Sequence, residues 1–121
     1  MVRKITTEHA GVERTAGSLA AALAKITKAQ RFFGQVAVES LHELMRANES
    51  RSLVKISEIM VRAAAYRTES RLAPYHNRID FPTQNDREWF GQVTVRREGK
   101  AATVGFFPNN YDAYKKKEVT A

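Results

Sequence analysis

Apolar residues recur at helical spacing from Leu19 to about Ala64, then at every second position from Gln92. A chain with that change of period must build helices first and a pair of strands afterwards. Thr15 or Ser18 is placed to cap a helix running to about Phe33, with Leu19, Leu23, Ile26 and Phe33 on one side. Gly34 ends it. A second helix is expected over about 36–46, with Val38, Leu41 and Met45 in line, and Asn48-Glu49-Ser50 as a turn. The third, over about 52–70, has the strongest period of all, through Leu53, Ile56, Met60 and Ala63, and Glu58 stands four residues before Arg62 on its outer face. Short connections make these an antiparallel bundle.

Pro74 closes the helical regime and Pro82 keeps the next stretch irregular. In the final segment Glu98-Gly99 is expected as a two-residue turn, setting Val95 opposite Ala102 and Val93 opposite Val104. The apolar residues of both strands then share one face. A lone hairpin is marginal in water, so this one must lean on the bundle or on another chain. The expected fold class is therefore mainly α: a three-helix antiparallel bundle, an irregular loop and a C-terminal β-hairpin. Residues 1–13 show no period and are expected as an arm, 14–107 as the helical domain with its hairpin, and 108–121 as a basic tail.

At 121 residues the chain is one domain by length, and 43% hydrophobic with 27% charged residues is ordinary globular usage. With no cysteine it has no disulfide, no thiolate nucleophile and no cysteine-held metal or cluster. No apolar run approaches the roughly 18 residues of a membrane span, and the first residues lack the apolar stretch of a signal peptide. A cytoplasmic location is the default expectation. The net charge of +7 raises the alternative of a basic helical module for nucleic acid. Much of that charge is terminal: Arg3, Lys4 and Lys115-Lys116-Lys117 stand near the ends, and residues 5–114 carry fifteen basic against twelve acidic side chains. Charge runs at chain ends are usually solvated, which argues against nucleic acid as a partner.

Catalytic constellations are absent from the sequence. It has no Gly-rich phosphate loop, no His-Glu-x-x-His, and three dispersed histidines, His9, His42 and His76. His42 and Glu43 are adjacent, so on a helix they point about 100° apart and make a poor metal pair. None of the serines has a base at recognisable spacing. Expected catalytic, cofactor-binding and metal-binding residues are accordingly none.

The unusual segment is Tyr66-Arg67-Thr68-Glu69-Ser70-Arg71, then Arg78-Ile79-Asp80-Phe81-Pro82, then Asn85-Asp86-Arg87-Glu88-Trp89. It closes a long helix with alternating guanidinium and carboxylate groups. Arg67 and Arg71 lie four apart on one face, an unfavourable pairing unless anions such as Glu69, Asp80 or Asp86 meet them. Arginine suits bidentate contact to carboxylates and carbonyls. Two readings stay open here: the charges pin the loop to its own bundle, or they dock a partner. An anion or substrate site is a third.

Arg-Thr-Glu-Ser-Arg ending an alanine-rich helix, Arg-x-Asp-Phe-Pro, and an acidic turn reaching Trp resemble the C-terminal signature of succinate dehydrogenase and fumarate reductase flavoproteins, a family that takes in adenylylsulfate reductase α subunits and L-aspartate oxidases. Gly11-Val12-Glu13-Arg14-Thr15 and the run from Glu43 to Leu53 are similar to its upstream segments. The likeness covers residues 11–107. Leu72-Ala73-Pro74-Tyr75-His76-Asn77 is a departure, a longer stretch before Arg78 than the pattern has.

The resemblance implies a helical domain that packs on a flavin domain and in some members faces an electron-transfer subunit. In such proteins FAD sits in an N-terminal Rossmann-like domain, and the substrate is held by residues preceding the helical part, none of which this sequence contains. The implied role is a small subunit or detached C-terminal domain of an FAD-dependent oxidoreductase, with FAD in a larger partner and no chemistry of its own. Arg67, Glu69, Arg71, Arg78, Asp80 and Trp89 match the motif and are the expected partner interface.

Overall fold

A computed structural model describes residues 1–113. Its order is α1 (Val2–His9), β1 (Glu13–Arg14), α2 (Ala16–Phe33), α3 (Leu41–Tyr66), β2 (Asn77–Arg78), α4 (Asp86–Trp89), β3 (Gly91–Glu98) and β4 (Ala101–Pro108). The mainly α architecture with a C-terminal hairpin agrees with the expected class, but the three helices that pack together are α1, α2 and α3. The expected arm at 1–13 is mostly helix. Val2 and Ile5, one turn apart, are its buried residues and join the common core. Two apolar positions are too few to show a period, and a helix of eight residues owes its stability to packing.

Thr15 is the cap of α2. Its Oγ1 accepts from Ser18 N–H at 3.1 Å, and Ser18 Oγ accepts from Thr15 N–H at 3.0 Å. These are the two reciprocal bonds of a capping box. Leu19, Ala22, Ile26 and Ala29 are buried along one face, with Leu23 and Phe33 packed beside them.

The second and third expected helices are one helix. α3 runs 26 residues, about 39 Å at the usual rise, and the expected turn at Asn48-Glu49-Ser50 lies inside it. No Gly or Pro stands there to break the ladder, and polar residues cost a helix only tenths of a kcal/mol each. Arg51 donates to the Phe33 carbonyl at 3.1 and 3.3 Å, holding the end of α2 against this middle stretch. Ser40 caps the start, accepting from Glu43 N–H at 3.2 Å.

The most regular apolar stripe of α3 does not enter the core. Val54, Val61 and Ala64 do, with Ser57 and Glu58 between them. Glu58, expected on the outer face, is buried: it accepts from Gln30 of α2 at 2.6 Å, from Lys55 at 3.1 Å and from Arg62 at 2.9 Å. Leu41, Met45, Ile56 and Met60 face outward, Leu41 at 85% and Ile56 at 62% exposure. The buried face of α2 alternates large and small residues, Leu19 and Ile26 with Ala22 and Ala29.

The hairpin turn is Gly99-Lys100 rather than Glu98-Gly99. Gly99 has φ 60° and occupies the first central position, where a type II′ turn wants glycine. Val95 therefore pairs with Val104 and Val93 with Phe106. A two-residue slip leaves every side chain on its expected face. At the hairpin's other end a Cβ on Gly91 would meet the Phe107 carbonyl oxygen at 2.3 Å, so only glycine fits there. Beyond β4, Asn109 N–H donates to the Phe90 carbonyl at 2.8 Å and Tyr111 meets the Phe90 ring edge-on. The remainder of the expected basic tail, 114–121, lies outside the described residues.

Candidate docking site

All six expected interface residues gather at the C-terminal end of α3, in one network. Glu69 is fully buried. Its carboxylate accepts from Arg67, from Arg71 Nε at 2.7 Å and Nη2 at 3.1 Å, and from Asn85 N–H at 2.8 Å. Burial pushes this carboxyl up, and the bonds from Arg71, Asn85 and Arg67 overrule it, leaving it below the ordinary carboxylate range. Arg71 also donates to Asp86 at 2.7 Å. Its pKa is raised by Glu69 and, against the opposing effect of burial, by Asp86.

Arg78 is 1% exposed. Its Nη1 donates to the carbonyls of Ala64, Ala65 and Arg67, at 3.1, 3.3 and 3.0 Å, closing the last turn of α3. Its other nitrogens grip Asp80 at 2.8 and 2.7 Å. Asp80 Oδ2 in turn accepts from Ala16 N–H at 2.8 Å, at the first turn of α2. Hydrogen bonding from Arg78 holds the Asp80 carboxyl down at about 2. The parallel pair β1–β2 places these groups, with Arg14 beside Arg78 in register and Ile79 N–H donating to the Arg14 carbonyl at 2.9 Å.

Arg67 and Trp89 fasten the hairpin. Arg67 donates to the carbonyls of Trp89 at 2.9 Å and Gly91 at 2.8 Å, and its guanidinium lies 5.4 Å from the Trp89 ring centre. Trp89 meets Tyr66 and Phe106 edge-on at 5.7 and 5.3 Å. Such aromatic pairs add about 1 kcal/mol each beyond area burial.

Thus Glu69 and Arg78 are turned into the protein, while Arg67, Arg71 and Trp89 are half-buried and Asp80 reaches the surface. Three groups outside the expected set belong here. Ser70 Oγ accepts from Arg78 N–H at 2.8 Å and donates to the Phe81 carbonyl at 2.8 Å. Arg14 donates from Nη1 to His76 Nδ1 at 3.3 Å. Burial and the neighbouring Arg14 charge lower the pKa of His76, with the Arg67 carbonyl pulling the other way. Only topology brings Arg14 to His76, 62 residues away, so spacing in the sequence could not reveal the pair.

On the N-terminal half of α3, away from this network, Leu41, Leu44, Met45, Leu53 and Ile56 line an open groove of about 680 Å³. Asn48, Glu49 and Ser52 line it between the apolar side chains. Among the described residues no group of three or more potential metal ligands occurs, and no helix is long and apolar enough to cross a membrane. No described strand runs through a Gly-rich turn into a helix, the unit that cradles a dinucleotide pyrophosphate.

The motif residues thus brace the chain's own loop, and the longest helix is apolar on much of its outer side. The family profile described as "Fumarate reductase flavoprotein C-term" matches residues 1–119, and the chain belongs to that family. An uncharacterised FAD-dependent oxidoreductase of Methanocaldococcus jannaschii is 30% identical over 95 residues, covering 78% of this chain and 17% of its own length. The structure of adenylylsulfate reductase from Archaeoglobus fulgidus superposes with a TM-score of 0.84 at 30% identity, over 89% of this chain and 18% of that one. An adenosine-5-phosphosulfate reductase in complex with sulfite matches with the same figures. The chain thus spans under a fifth of the length of these relatives.

Proposed function

We propose that this chain serves as the helical C-terminal part of an FAD-dependent oxidoreductase of the fumarate reductase type. It docks on and stabilises a separate flavin-binding polypeptide and carries no chemistry of its own. The observation behind this reading is the apolar outer face of α3, from Leu41 through Met45 and Ile56 to Met60, on a helix whose opposite face already fills a core. In that arrangement Arg67, Arg71, Asp80 and Trp89 edge the contact region, while Glu69 and Arg78 hold it in shape from beneath. FAD belongs to the partner, and a cytoplasmic location is part of the same reading.

The test is to tag the chain in its own cells, purify it under mild conditions and measure flavin absorbance and the mass of any companion. A yellow complex with a larger flavin-bearing subunit is the expected result. A colourless chain without such a companion overturns the proposal.

A further inference from the structure

Near the C-terminal end of α3 lies a hollow of about 380 Å³, lined by Arg14, Met60, Arg67, Arg71, Leu72 and Tyr75 among others. Its floor is apolar, and Leu72 and Tyr75 stand mostly in solvent on the turn between Arg71 and His76. Its cations are not equally matched. Arg67 and Arg71 share Glu69, Arg71 also holds Asp86, and Arg78 beneath them holds Asp80. Arg14 makes no ion pair among the described residues. Its Nε donates to the Gly11 carbonyl at 2.7 Å and its Nη1 reaches the neutral acceptor of His76. Nη2 is left with no hydrogen bond to a described residue. Four guanidinium groups therefore face three carboxylates in a partly buried place, where an unmatched charge is costly and arginine favours a carboxylate partner.

We infer that this hollow receives an acidic side chain of the flavin-binding partner, an Asp or Glu flanked by apolar residues, with its carboxylate on Arg14 and its neighbours against Met60, Leu72 and Tyr75. The inference rests on the docking reading above and names the chemistry of one contact within it. The occupant must be anionic because Arg14 already has neutral acceptors. It must be partly apolar because most of the hollow away from the guanidinium groups is hydrocarbon and ring surface. A carboxylate there completes the charge balance and fixes the register of the partner at the end of α3 farthest from Leu41.

The experiment compares three variants of the tagged chain in its own cells: Arg14→Met, Arg14→Lys and Ile56→Asp. Retention of the flavin-bearing subunit is measured against rising NaCl, and folding by thermal melting. Arg14→Met is expected to weaken retention at least about tenfold and to flatten its salt dependence, Arg14→Lys to keep most of both, and Ile56→Asp to weaken retention at every salt concentration. If Ile56→Asp abolishes retention while Arg14→Met binds like the parent, the carboxylate contact is refuted and docking through α3 stands. If neither variant weakens retention, or no flavin subunit is retained by the parent, both readings fall. A loss in Arg14→Met matched by an equal loss of thermal stability and shared by Arg14→Lys makes Arg14 a structural residue and overturns the inference.

Discussion

Arg78 and Asp80 are bound to each other by two hydrogen bonds of 2.8 and 2.7 Å, and together they close two helix ends. The cation meets the carbonyls at the C-terminus of α3, and the anion meets an amide at the N-terminus of α2. Each charge thus sits at the helix pole of opposite sign. One short segment, 78–80, straps the end of one core helix to the start of the other.

Arg78→Met removes that strap while keeping most of the side-chain volume. Three carbonyls lose their donor and Asp80 loses its partner. Unfolding stability in urea should fall by about 3 kcal/mol. A loss under about 1 kcal/mol would show that the strap contributes little.

Arg67→Ala should loosen the hairpin without melting the bundle. The two carbonyls it holds belong to Trp89 and Gly91, at the start of β3. Amide exchange across 91–108 should accelerate strongly, while amides of α2 and the middle of α3 stay protected. Uniform acceleration along the whole chain would contradict this.

Leu19→Ala and Ile56→Ala test which side of α3 is core. Leu19 is fully buried against it, and Ile56 faces out. The first change should cost about 2–5 kcal/mol, the second less than about 0.5 kcal/mol in the isolated chain. Similar costs for both would mean that the outer stripe is covered in solution.

Stability should decline as the solution is acidified. Glu69, Glu58 and Asp80 are all held below their ordinary values in the folded chain. Their contributions are complete above the unfolded values, about 4.3 for Glu and 3.9 for Asp. They are lost as pH falls from there through the folded values, which for Asp80 is about 2. His76 acts at a higher pH. Its folded pKa is also depressed, so the unfolded chain takes up the proton first, and stability drops as pH falls below about 6.5. His76→Gln should flatten the curve in that upper window and leave the lower one unchanged. Denaturant midpoints measured from pH 7 to pH 3 check both.

The class of fold was legible because period is a strong signal: 3.6 through α2 and two through β3 and β4. The Thr15 cap and the shared hairpin face followed from local chemistry. What misled was the step from regularity to burial. Leu53, Ile56 and Met60 make the cleaner stripe, yet Val54, Val61 and Ala64 are inside, because the side of α3 that is buried is set by its packing on α1 and α2 and not by the regularity of its own pattern. α1 escaped notice since Val2 and Ile5 are too few to form a pattern. The motif residues were found by type, while their inward direction depends on contacts such as Arg78 with the α3 carbonyls, which no local spacing encodes.

The sealed position of Glu69 has a practical meaning for anyone mapping this surface by mutation. With no part of it reachable from outside, its replacement would act by unlatching the loop that carries Asn85 and Asp86. Such a variant would disturb the platform itself, and a screen scoring association alone would mistake a keystone for a handshake.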